Sequence, residues 1–135
     1  MTSVIEQQDY TASPDAVWAI IGDPAGIHAW HPAIAASPVR DGVRYVALEG
    51  GGEVDEPILE HSDDDRFYVY GMSRHPFELT DYVSRLSVAA NGDGSTVTWT
   101  GDFEPADESG AELLSGIFHG VYRSGLDAVT AQLAG

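Results

Sequence analysis

The stretch "DESGAELLSGIFHGVYRSGLDAVTAQLA", Asp107 to Ala134, decides the fold. Its apolar residues Leu113, Leu114, Ile117, Phe118, Val121, Tyr122, Leu126 and Val129 recur at the three- and four-residue steps of one helix face. The same stretch holds Gly110, Gly116, Gly120 and Gly125. Each weakens a helix by about 1 kcal/mol relative to alanine. A helix so diluted needs tertiary packing, or its glycines stand where another group comes close. The rest of the chain must supply the surface that this helix covers.

That surface lies between Ser37 and Phe103. The runs "VRYVALE", "EVDEPILE", "RFYVYGM", "LTDYVSRLSVA" and "STVTWTGDF" alternate with the turns "RDGV", "EGGGE", "HSDDD", "SRHPF" and "ANGDGS". Turn signals about ten residues apart predict an antiparallel meander. Upstream, "SVIEQQDYTA" reads as a first strand. "SPDAVWAIIGD" reads as a short amphipathic helix: Ser13 is an N-cap, Pro14 suits the first helical position, and Val17, Ile20 and Ile21 form one apolar stripe. "PAGIHAWH" reads as a second short helix, opened by Asp23 and Pro24. The expected class is α+β: a curved antiparallel sheet of about six or seven strands, with two short helices after the first strand and a long C-terminal helix. No linker, repeat or low-complexity tract appears, so residues 1–135 read as one domain.

Composition removes several functions. Acidic residues number 22 against 6 basic ones, all arginine, for a net charge of -16. Such a surface repels phosphate backbones, so no nucleic-acid partner is expected. Without lysine there is no lysine Schiff base, and without cysteine no disulfide, thiolate metal site or thiol nucleophile. The lack of cysteine fits a reducing, cytoplasmic setting. No apolar run has transmembrane length and no signal-peptide pattern opens the chain, so integral membrane association is not expected. His28 and His31 are three residues apart, but a zinc site needs three or four ligands, and Pro32 ends the helix at or before His31. There is no Gly-x-Ser-x-Gly elbow, and the glycines of "EGGGE" lie in an acidic hairpin rather than a phosphate loop. No metal or cofactor is expected.

Alternation assigns the faces of the strands. In "TDYVSRLSV" the apolar parity holds Tyr82, Ser84, Leu86 and Val88, which should point inward. In "VTWTGDF" the inward set is Val97, Trp99, Gly101 and Phe103. In "EVDEPI" it is Val54, Glu56 and Ile58. Both parities of "RFYVYGM" are apolar and leave its faces open. Glu56 is the sharpest feature: an inward carboxylate costs several kcal/mol unless paired, hydrogen-bonded or protonated. Its pKa should rise, as in a general acid or base. It also reads as a strand-start glutamate whose head reaches solvent or an arginine, or as one half of a structural ion pair.

The ordered segments "SPDAVWAIIGDPAGIHAWHPAI", "EVDEPILEHSDDDRFYVYGM", "LTDYVSRLSV", "VTWTGDFEP" and "VYRSGLDAV" together resemble the helix-grip fold of the START-like (SRPBCC) superfamily. The polyketide cyclase/dehydrase family is the part they resemble most. The resemblance implies a sheet gripping the long helix around an apolar cavity. It favours Tyr68 and Tyr70 as inward residues, and places Trp30 and His31 at the cavity mouth, with Pro32 as the bend. Plant hormone receptors of this superfamily carry a glutamate at the strand position matching Glu56, where it touches ligand through water. They also carry a ligand-anchoring lysine where Trp30 falls, so a more apolar ligand is expected here.

The expected function is binding of a small hydrophobic or aromatic molecule in that cavity. Trp30, Tyr68, Tyr70, Tyr82, Ser84, Trp99, Phe118 and Tyr122 are the expected ligand-binding residues. The resemblance implies cyclisation or dehydration of a polyketide-like substrate as the enzymatic version, with Glu56 or His31 moving a proton. The alternative is a non-catalytic carrier or sensor of lipids or small molecules. Strand edges could pair into a homodimer, though no pattern specifies one.

Overall fold

Alternating burial along two long strands builds the inner surface. β7 (Leu79–Asn91) and β8 (Gly94–Pro105) bury Tyr82, Ser84, Leu86 and Val88 against Val97, Trp99 and Phe103, as the parity predicts. This is seen in a computed structural model that describes residues 1–134; Gly135, the last residue of the expected domain, lies outside the described residues. The other strands are β1 (Thr2–Tyr10), β2 (Ile34–Ala36), β3 (Val39–Arg40), β4 (Val43–Leu48), β5 (Glu53–Ser62) and β6 (Phe67–Gly71). They form one antiparallel path, β1-β8-β7-β6-β5-β4-β2. The seven strands on that path match the expected number. The two-residue β3, paired to β4 off the path, is too short to leave a sequence pattern.

The long pairing of β1 with β8, from Thr2 opposite Phe103 to Tyr10 opposite Ser95, joins the two ends of the sheet-forming sequence. Near the start of β7 the ladder shifts register between Thr80 and Val83, and Asp81 takes a positive φ of 57°. This bulge turns Leu79 and Tyr82, three residues apart, to the same buried side.

The first short helix, α1 (Pro14–Ile21), starts as expected: the Ser13 hydroxyl accepts the Ala16 N–H at 3.2 Å. The second is a 3-10 helix, Pro24–Ala29, and ends two residues earlier than "PAGIHAWH" suggested. Pro32 disfavours helical backbone at His31, so Trp30 and His31 leave the helix and turn inward.

The last element, α2 (Glu108–Ala134), buries Leu114, Phe118, Tyr122, Gly125, Leu126 and Val129 against the sheet. Leu113 and Ile117 share its apolar spacing yet stay exposed. A stripe that wide cannot all reach one curved surface. The glycines divide by role. A Cβ on Gly125 would lie 2.7 Å from His31 Cδ2 and 2.9 Å from Trp99, so here a close approach requires glycine. Gly116 and Gly120 face open space. A sheet wrapped on one long helix in this way is the helix-grip fold.

Candidate functional site

Strands β4 to β8 and helix α2 turn side chains into one cavity of about 330 Å³. That volume reaches the range of small-molecule sites, whose lower bound is about 300 Å³. Its centre is an ion pair. Glu56 on β5 points inward, and the residue directly opposite it on β4 is Arg44. Nε and Nη2 of Arg44 each lie 2.8 Å from Glu56 Oε1. Nη1 donates to the Pro24 carbonyl and to the Tyr68 hydroxyl, both at 3.0 Å. The guanidinium carbon stands 4.6 Å from the Tyr70 ring centroid, a cation–π contact. Arg44 is 0% exposed and Glu56 8%.

Arg44 went unremarked in the sequence, although a signal was there. It shares the parity of Val46 and Leu48 in "VRYVALE", the strand one hairpin away from Glu56. An inward carboxylate needs an inward cation, and this arginine faces it across the ladder. Glu56 is thus paired with an arginine and does not point to open solvent. Burial pushes the Glu56 carboxyl up, and the Arg44 guanidinium offsets only part of that rise. The carboxylate in turn holds Arg44 protonated. Among the described residues no hydrogen bond reaches Glu56 Oε2.

The opposite wall is aromatic. Trp99 stacks on Tyr122 at 4.6 Å between centroids and 14° between planes. The Trp99 Nε1–H is shared between the hydroxyls of Ser84 at 3.1 Å and Tyr70 at 3.2 Å. The Tyr70 hydroxyl therefore accepts a bond, and its own proton has no acceptor among the described residues. Tyr82 and Tyr122 bond each other through their hydroxyls. Burial raises the Tyr70 and Tyr82 phenols well above their usual value and Tyr122 to about 12. All three are neutral near pH 7, so they serve as hydrogen-bonding groups and not as anionic bases.

Of the expected site residues, Glu56, His31, Tyr70, Tyr82, Trp99, Phe118 and Tyr122 line the cavity. Trp30, Tyr68 and Ser84 do not. Trp30 packs on Trp99 with ring centroids 5.8 Å apart, and its buried indole N–H has no partner among the described residues. Tyr68 lies beside Arg44 as a hydrogen-bond acceptor. Ser84 is fully buried and spends its proton on the Thr100 carbonyl at 2.8 Å.

His31 does not stand at the mouth, where the resemblance placed it. It is 1% exposed and braces the chain. Nε2 donates to the Val121 carbonyl at 2.7 Å, while Nδ1 accepts the Ala33 N–H at 3.1 Å. Burial lowers its pKa, consistent with that neutral tautomer. The exposed lining residues Ala33, Glu49, Gly51 and Ile117 mark the mouth instead. It opens between the β4–β5 turn and the middle of α2. Among the described residues no group of three His, Cys, Asp or Glu could hold a metal ion. No described helix is long and apolar enough to cross a membrane.

Known structures share this architecture. The protein XoxI from Bacillus cereus is 31% identical, with a TM-score of 0.89 over 96% of this chain and 93% of its own. An uncharacterised protein from Bacillus thuringiensis is 26% identical, with a TM-score of 0.89 over 99% of this chain and 100% of its own. Norcoclaurine synthase from Thalictrum flavum, bound to a transition-state analogue, shares the fold at 15% identity. Its TM-score is 0.78 over 98% of this chain and 94% of its own. No curated protein matches the sequence. Residues 1–134 match the family described as polyketide cyclase / dehydrase and lipid transport, and the chain belongs to that family.

Proposed function

We propose that this protein binds a small, mostly apolar and aromatic molecule in the cavity beneath α2. One observation carries the reading: an apolar and aromatic enclosure of about 330 Å³ holds two unused hydrogen-bonding positions, Glu56 Oε2 and the Tyr70 proton. Small-molecule sites pair a hydrophobic lining with a few polar groups that fix orientation. Tyr70, Tyr82, Trp99, Phe118 and Tyr122 supply ring contacts, and a net charge of -16 favours such a ligand over nucleic acid.

Native mass spectrometry of the protein purified from its own host tests this. The expected result is a bound small molecule that leaves on mild activation. Titration with the neutral dye N-phenyl-1-naphthylamine tests it independently. Dye emission should rise while tryptophan emission is quenched, since Trp99 lines the cavity. A protein that purifies empty and leaves the dye unperturbed would refute the reading.

A catalytic version rests on Glu56. Glu56 lines the cavity, its Oε2 has no partner among the described residues and its pKa is raised, which suits an acid/base group in cyclisation or dehydration of a polyketide-like substrate. His31 serves this version as a wall, because both ring nitrogens are committed to backbone. With a substrate in hand, Glu56→Gln should lower turnover by about 100-fold or more. Undiminished turnover would leave a carrier or sensor.

A further inference from the structure

We infer that the cavity selects neutral ligands bearing a hydroxyl or N–H donor and rejects anionic ones such as fatty-acid carboxylates. The inference deepens the binding reading above and rests on it. Arg44 is the sole arginine lining the cavity, and the protein itself takes most of its donors. Nε–H and one Nη2–H go to Glu56 Oε1, and both Nη1 protons go to Pro24 and Tyr68. That commits four of the five N–H groups a guanidinium carries. His31 is neutral, with both nitrogens bonded to backbone. Glu56 lines the cavity instead, and among the described residues its Oε2 has no donor upon it. Glu49 adds a second carboxylate at the mouth.

An entering anion thus passes one carboxylate, meets another, and finds only a cation already paired with Glu56. Burying an unpaired charge in such a place is strongly unfavourable. A neutral hydroxyl meets two complementary groups. It donates to Glu56 Oε2 and accepts from the Tyr70 hydroxyl, whose own acceptor position is filled by Trp99. A cationic ligand gains less, because Arg44 already balances Glu56. The unpaired carboxylate oxygen therefore acts as a repulsive specificity element as well as a docking point.

The test uses the full chain at neutral pH and three probes of one shape: naphthalene, 2-naphthol and 2-naphthoate. Calorimetry reads their affinities. 2-Naphthol should bind at least about tenfold more tightly than 2-naphthoate, a difference of about 1.4 kcal/mol. Tyr70→Phe should weaken 2-naphthol more than naphthalene, and Trp99 keeps Ser84 as partner in that variant. Glu56→Gln should narrow the gap between naphthol and naphthoate. Should that variant fail to fold, the wild-type series and Tyr70→Phe still decide. Naphthoate binding as well as or better than naphthol overturns the selection and leaves the binding reading standing. Failure of all three probes overturns both.

Discussion

Arg44 and Glu56 face each other inside the sheet, and each is buried only because the other is there. Removing one strands a charge in an apolar interior, at a cost of about 3–5 kcal/mol. Arg44→Leu should lower stability to urea by that order. Arg44→Leu combined with Glu56→Leu should be more stable than the single variant, since no charge is left unpaired. Additive losses in urea titrations would refute this. His31 gives a second prediction. Burial depresses its folded pKa, so the stability of the neutral ring is complete above about 6.5, the unfolded value. That contribution is lost as pH falls through the depressed folded value. Wild type should lose stability faster than His31→Gln between about pH 7 and pH 5, by about 1.4 kcal/mol per unit of depression. Equal slopes would show that the ring titrates freely. The inward place of Glu56 was legible from strand parity, and that of His31 was not. Parity and periodicity do not extend through the loop after Pro24–Ala29, whose path depends on contacts with Val121, 90 residues away.

The elements repeat this division. Helix α2 carries the same residue type in opposite settings, so one substitution should have opposite signs. Gly116→Ala and Gly120→Ala meet nothing within 4 Å and should stabilise by about 0.5–1 kcal/mol through helix propensity. Gly125→Ala drives a methyl into His31, Trp99 and Trp30, so a net loss of about 1–3 kcal/mol is expected despite the better propensity. Thermal or urea unfolding of the three variants decides; a stabilising Gly125→Ala would mean that the His31–Trp99 contact yields easily. The stripe of α2 was readable, because period 3.6 survives in any context. Which glycines are crowded was not, because crowding belongs to the partner surface. The bulge at Thr80–Val83 was hidden for the same reason: two residues opposing one is a property of a pair of strands.

At the scale of the whole molecule, charge is the dominant feature. Among the described residues four arginines hold ion pairs: Arg44 with Glu56, Arg66 with Asp15, Arg74 with Glu53 and Asp55, and Arg123 with Glu6 and Asp127. A net charge of -16 remains, and its self-repulsion destabilises the compact state. Salt screens that repulsion within a Debye length of about 10 Å at about 0.1 M. Raising sodium chloride from about 0.02 M to about 0.5 M should therefore raise Tm. A falling Tm would mean that the exposed ion pairs outweigh the surplus.

The amino-acid sequence by itself determined the order of the helices and of the six longer strands, the faces of β5, β7 and β8, and the inward place of Glu56; the short β2 and β3 escaped it. Those follow from local periodicity, which each segment carries within itself. The tertiary structure alone decided what Glu56 faces, which aromatic residues reach the cavity and which stand behind it, and where the mouth opens. Trp30, Tyr68 and Ser84 are as buried as their neighbours, yet they do not line the space and touch residues that do: Trp30 packs on Trp99, Tyr68 bonds Arg44, and Ser84 bonds Trp99 and Tyr122. Depth behind a wall depends on the whole packed arrangement, and strand parity distinguishes only two sides.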